Sequence, residues 1–133
     1  MSWTCPKCER ELPKPEQRHY CARVSLDTLF AGRPAELVLI FDKLLAEVAD
    51  WEGVLVGTTP NCIVFTRRLA FLVIRPMKKE LDLKFYSKVP HPERPVLKST
   101  AAGNKFENHI RISLEDDLCP ALFNYLRESY QLL

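Results

Sequence analysis

Residues 62–86 read CIVFTRRLAFLVIRPMKKELDLKFY, and this stretch decides the fold. Three β-rich runs, Cys62 to Arg67, Leu69 to Arg75 and Leu81 to Tyr86, are broken only at Arg67-Arg68 and at Pro76 to Glu80. Connections this short admit hairpins and exclude crossover helices, so the runs form an antiparallel meander. Leu81, Leu83 and Phe85 alternate with Asp82, Lys84 and Tyr86, the pattern of a strand with one wet face. Ile63, Val64 and Phe65, and then Leu69 to Ile74, are apolar on both parities, so both faces of those two strands need cover.

Working outward toward the N-terminus, Thr59-Pro60-Asn61 separates the meander from a further run, Val54 to Thr58. Before it, Leu37, Ile40, Phe41, Leu44, Leu45 and Val48 follow the spacing of one helical face, which predicts a helix over Pro34 to Asp50 with the proline at its first position. Ser25 caps a short turn ending at Phe30, closed by Ala31-Gly32-Arg33. Toward the C-terminus, Ser87 to Asn104 carries Pro90, Pro92, Pro95 and Gly103 and reads as a long irregular loop. A last strand is expected at His109 to Ser113. Ser113 and Asp116 resemble a capping box, and Pro120 fits only a first turn, so the final helix is expected to start near Glu115 to Asp117. Its apolar side is Leu118, Leu122, Tyr125, Leu126, Tyr130 and Leu133.

The segment before the first helix has a different character. Cys5-Pro6-Lys7-Cys8 points two thiolates at one ion from a tight turn, and His19-Tyr20-Cys21 sends side chains i and i+2 to one side of an extended strand. Together Cys5, Cys8, His19 and Cys21 form a closed Cys₃His set for one structural Zn²⁺, with no position left for water. Two other readings compete. A redox pair at Cys5 and Cys8 would need a βαβ context and leaves His19 and Cys21 unexplained, and isolated free thiols would leave the clustering unexplained. The expected architecture is therefore α+β: a zinc knuckle over residues 1–23, then a domain over 24–133 made of a helix, an antiparallel sheet of about five strands and a C-terminal helix.

The apolar fraction of 47% can fill one core. No apolar run approaches the roughly 18 residues that span a bilayer, and the first residues hold charges and prolines where a secretion signal is greasy. A soluble, cytoplasmic protein with no membrane partner is expected, a compartment in which clustered cysteines bind metal more readily than they pair. The net charge of +2 hides an uneven distribution: residues 61–111 hold 11 Lys or Arg against 4 acids, residues 34–60 hold 1 against 5, and residues 112–133 hold 1 against 4. The basic middle, with Tyr86, His91 and His109 interleaved, suits an anionic ligand, while a plain solvated sheet face is the competing reading.

With these pieces in place, the chain resembles the bacterial family that carries the domain of unknown function 5655. The carrying residues are Phe30-Ala31-Gly32-Arg33-Pro34, Phe41-Asp42-Lys43-Leu44, Ile63 to Phe71, His109-Ile110-Arg111-Ile112 and the stretch from Asp117-Leu118 to Tyr130. The resemblance spans about residues 25–133, and Trp3 to Cys8 looks like a zinc-ribbon extension that some members carry. It implies a compact α+β fold and no established activity. Members tend to have two histidines near the last strand, where this chain has Asn108 and His109.

The function expected from the residues is a non-catalytic binding module for an anionic ligand, either nucleic acid or a phosphorylated small molecule. Arg67, Arg75, Lys84, His109 and Arg111 are its candidate ligand-binding residues, because strands and strand ends hold side chains better than loops do. The alternative is a protein-interaction or homodimerisation module that covers the second face of the central strands. A metal-dependent nuclease has the least support: Asp82-Leu83-Lys84 has the D-x-K form, but Thr58 to Arg67 contains no acid to complete a metal site. No Ser-His-Asp order and no glycine-rich phosphate loop is present.

Overall fold

The computed structural model describes residues 2–17, 25–91, 93 and 96–133. In chain order the elements are β1 (Trp3–Thr4), β2 (Glu11–Leu12), α1 (Leu26–Phe30), α2 (Ala35–Val48), β3 (Leu55–Thr58), β4 (Ile63–Thr66), β5 (Ala70–Pro76), β6 (Leu81–Ser87), β7 (Lys98–Ala102), β8 (Lys105–Ile112), a 3₁₀ turn (Glu115–Asp117) and α3 (Pro120–Leu132). The α+β class and the antiparallel meander are as expected. The main sheet has six strands in the order β3-β4-β5-β6-β8-β7, all antiparallel. Among the described residues no helix is long and apolar enough to cross a membrane.

Three expectations need correction. The stretch from Ser87 to Asn104 is not irregular throughout, because Lys98–Ala102 forms an edge strand on β8. The last strand is correspondingly longer, running over Lys105–Ile112 instead of starting at His109. Residues 98–102 read KSTAA, which has no apolar alternation because an edge strand is held by its backbone ladder while its side chains stay in solvent. The final helix starts at Pro120, not at Glu115 to Asp117. Those acids make a separate 3₁₀ turn, in which the Asp117 carboxylate accepts from the Ser113 and Leu114 amides at 3.0 Å each, doing the capping expected of Asp116.

One core joins the helices to one face of the sheet. Leu37, Ile40, Phe41, Leu44 and Val48 of α2 bury together with Leu122 and Leu126 of α3 and with Ile63, Phe65, Leu72, Ile74, Leu81, Leu83, Phe85, Ile110 and Ile112 of the strands. The register shifts between Phe65 and Thr66, which leaves Phe71 as an extra residue on β5. This bulge lets Phe71 and Leu72 both bury, and Phe71 packs on Trp51 and Tyr130. The two-parity apolar pattern of β5 thus reflects a bulge at one end as much as a second covered face.

Cover for the second face comes in part from the N-terminal hairpin. β2 lies against β3, and the Arg10 side chain sits where a Cβ on Gly57 would be, so any larger residue at position 57 would displace the guanidinium. Gly57 is the cross-strand neighbour of Val64, which is 8% exposed. Burial pulls the Arg10 guanidinium below its ordinary value, against the raising influence of Cys8.

The connection before β7 is latched to α3. The Tyr125 hydroxyl donates to Glu93 Oε1 at 3.1 Å, His91 Nδ1 lies 3.2 Å from the same oxygen, and the His91 ring packs edge-on against Tyr125. A backbone hydrogen bond at Glu93, helped by Tyr125 and His91, holds the Glu93 carboxyl below its ordinary 4.5, outweighing desolvation. Partial desolvation, together with the Glu93 hydrogen bond and the charges of Glu93 and Glu128, raises the Tyr125 phenol above its ordinary 10.0. The carboxylate's contribution is present above 4.5 and is lost as pH falls through the lowered folded value. That of Tyr125 is present below 10.0 and is lost as pH rises through its raised value. An NMR titration should therefore find the Glu93 carboxyl titrating low and shifting the Tyr125 ring resonances in step. An ordinary Glu93 midpoint, or no response at Tyr125, contradicts the latch.

Candidate anion cleft

Strand pairing places the candidate residues of the meander on the sheet face turned away from the helices. Asp82 lies opposite Arg111, Lys84 opposite His109 and Arg75 opposite Asp82, so Arg75, Lys84, His109 and Arg111 share that face across β5, β6 and β8. Arg67 does not join them. Its guanidinium stacks on the Tyr130 ring at 4.6 Å from the centroid and donates to the Tyr130 carbonyl at 3.3 Å, tying the β4–β5 turn to the end of α3.

The shared face is not a field of unpaired cations. His109 Nδ1 lies 2.9 Å from Asp82 Oδ2, and its Nε2 lies 3.1 Å from Glu107 Oε1. Arg111 reaches Glu80 at 3.4 Å and the other Asp82 oxygen at 3.5 Å. Three carboxylates thus surround Arg111 and His109, and both imidazole nitrogens are engaged. Asp82 and Glu107 address opposite ring nitrogens, so they do not converge on one ion with His109. Among the described residues no group of three or more His, Cys, Asp or Glu is arranged to hold a metal.

Uncompensated charge collects at the edge of this face, where the β5–β6 turn meets the link between α1 and α2. A cleft of about 440 Å³ is lined there by Arg33, Arg75 and Lys78 together with Thr28, Asn61 and Met77, and no acid lines it. Gly32, at φ +74, turns the chain so that Arg33 faces the β5–β6 turn. The Arg33 Nε then donates to the Met77 carbonyl at 3.1 Å and its Nη1 to the Ala31 carbonyl at 3.3 Å, which fixes the guanidinium with donors to spare. Among the described residues Arg75 and Lys78 form no ion pair. A second groove of about 240 Å³ adjoins the first, sharing Arg75 and Met77 and adding Asp82, Leu97, Lys98, His109 and Arg111.

Of the three cations that line this cleft, the sequence pattern names Arg75 as a candidate but not Arg33 or Lys78. The available signal was Gly-Arg-Pro between two helical segments, a turn that presents one long cation.

At the front of the chain, Cys5 and Cys8 are 3% and 6% exposed although they belong to a small hairpin in which Leu12 is the other buried apolar residue described. The turn is built by Cys5 N–H to the Arg10 carbonyl at 2.9 Å, Glu9 N–H to the Cys5 carbonyl at 2.8 Å, and Glu9 at φ +62. Enclosed, neighbouring thiols on a tight turn fit half of a zinc site. The other half, His19 and Cys21, lies outside the described residues.

Comparison with known families adds the decisive point: a family model described as a domain of unknown function, DUF5655, matches residues 26–133. The chain belongs to the DUF5655 family. No curated protein and no solved structure matches it. The matched DUF5655 region includes every residue that lines the two clefts and leaves out the cysteine hairpin. Asn108 and His109 point to opposite faces of the sheet here. The Asn108 amide is buried and donates to Ser87 Oγ at 2.9 Å, whereas His109 lines the second groove.

Proposed function

We propose that this protein is a non-catalytic binding module whose ligand carries a phosphate group, seated between Arg33, Arg75 and Lys78. The observation that carries this reading is the 440 Å³ cleft with three cationic side chains and no carboxylate in its lining. Two carbonyls hold the Arg33 guanidinium before any ligand arrives, so little side-chain entropy is lost on binding. The site lies at a turn, where backbone and side chains from two distant segments meet in one concavity.

Charge balance favours a small phosphorylated molecule over nucleic acid. A nucleic acid strand crossing the sheet would meet Asp82, Glu80 and Glu107 beside Arg111 and His109, and those carboxylates repel phosphates. Both His109 nitrogens are engaged with carboxylates, which supports binding over acid–base catalysis. The homodimer reading has less in its favour, since the open sheet face carries Lys84, His109 and Arg111 with Asp82, Glu80 and Glu107 beside them.

The expected result in NMR titrations with inorganic phosphate or pyrophosphate is saturable shifts at the amides of residues 31–33 and 75–79. Arg75→Glu with Lys78→Glu should weaken binding by more than about tenfold, since each charge-assisted contact contributes about 1.5–3 kcal/mol. Both side chains border solvent, so the variant should keep its unfolding midpoint. Shifts scattered over the surface, or unchanged affinity in the variant, would sink this reading. A salt-sensitive rise in anisotropy with DNA or RNA oligomers, absent here by expectation, would restore nucleic acid.

The zinc knuckle of Cys5, Cys8, His19 and Cys21 is part of the same proposal, as a structural element beside the binding domain. Its support is the burial of the two thiols described and the four-ligand spacing.

A further inference from the structure

The two adjoining clefts differ in chemistry. The first is polar and cationic. The second adds an apolar wall, Leu97, which is 60% exposed, and shares Met77 and Arg75 with the first. Its rim carries donors in Lys98 and Arg111 and an acceptor in Asp82. Arg75 stands between the two spaces, so a ligand whose phosphate pairs with Arg33 and Lys78 extends naturally past Arg75 into the second groove.

We propose that the ligand has two parts and is a nucleoside monophosphate, with its phosphate in the first cleft and its base in the second. A flat heteroaromatic ring is the group that suits an exposed leucine, a methionine and a guanidinium plane together, and it carries edge donors and acceptors for Asp82, Lys98 and Arg111. A sugar phosphate offers hydroxyls and no flat apolar face, so it leaves Leu97 and Met77 unused. This inference rests on the phosphate-binding reading above, and the following experiment separates the two.

Calorimetric titrations of the whole chain should compare inorganic phosphate, ribose 5-phosphate and adenosine 5′-monophosphate. The nucleotide should bind roughly tenfold more tightly than the other two, the size of a base-stacking contribution. Leu97→Ser should remove that advantage and leave inorganic phosphate affinity unchanged; the exposure of Leu97 means its loss leaves the core intact. Equal binding of all three would overturn the two-part ligand while keeping the phosphate cleft. A nucleotide advantage that survives Leu97→Ser would also overturn it, because the base would then lie elsewhere. No binding by any of the three would remove both readings.

Discussion

Ser129→Ala will lower the unfolding free energy by about 3 kcal/mol, because it strips two buried backbone groups of one shared partner. The Ser129 hydroxyl donates to the Phe71 carbonyl at 2.6 Å and accepts from the Tyr86 amide at 2.9 Å, and the side chain is fully buried. The β5–β6 ladder pairs Leu72 with Phe85, and its next rung would join Phe71 to Tyr86. The hydroxyl of α3 occupies that rung, so the helix is bonded to the sheet where the ladder ends. Alanine leaves a buried carbonyl and a buried N–H unpaired, each costing about 1–3 kcal/mol if water cannot enter. Urea unfolding of the variant against Ser129→Thr, which keeps the hydroxyl, gives the measurement. A loss below about 1 kcal/mol for alanine would mean that water or a local shift repairs the rung.

The second large effect concerns the proposed zinc site. Removing zinc with a strong chelator should unfold residues 2–17 while the DUF5655 domain stays folded. The hairpin contributes two strands of two residues each and one buried leucine besides its cysteines, far too little apolar burial to offset ordering the chain. Structural zinc sites bind with about 10–16 kcal/mol of apparent free energy, which is then most of what folds this segment. Hydrogen exchange should find the Cys5 and Glu9 amides protected with metal and fast without it. Protection in the domain core around Leu72, Leu83 and Ile110 should persist. Cys8→Ser should behave as the stripped protein does. Stoichiometric zinc missing from gently purified material, or hairpin amides that stay protected in chelator, would end the zinc account.

The legibility of this chain varied by element. The meander was plain in residues 62–86 because strand alternation and short turns act locally, and the 3.6-residue spacing of Leu37, Ile40, Phe41, Leu44 and Val48 marked α2 for the same reason. β7 was invisible, since an edge strand of Lys, Ser, Thr and Ala carries no apolar period. Nothing local marks Ser129 as buried, because its partner lies 58 positions away in the chain. In the candidate site, Arg75 was found through strand position, while Arg67 proved to be tied to Tyr130 and Arg33 came from a linker that charge counting over residues 61–111 did not reach.

By itself, the sequence determined which side of most helices and strands avoids water and where most turns fall, which depend on neighbours a few residues apart. The tertiary structure alone decided that Arg33, Arg75 and Lys78 converge while Arg111 and His109 are engaged by Asp82, Glu80 and Glu107. Charges do not encode their partners along the chain. Their pairing follows from strand register and from the meeting of distant turns, which packing of the apolar core sets.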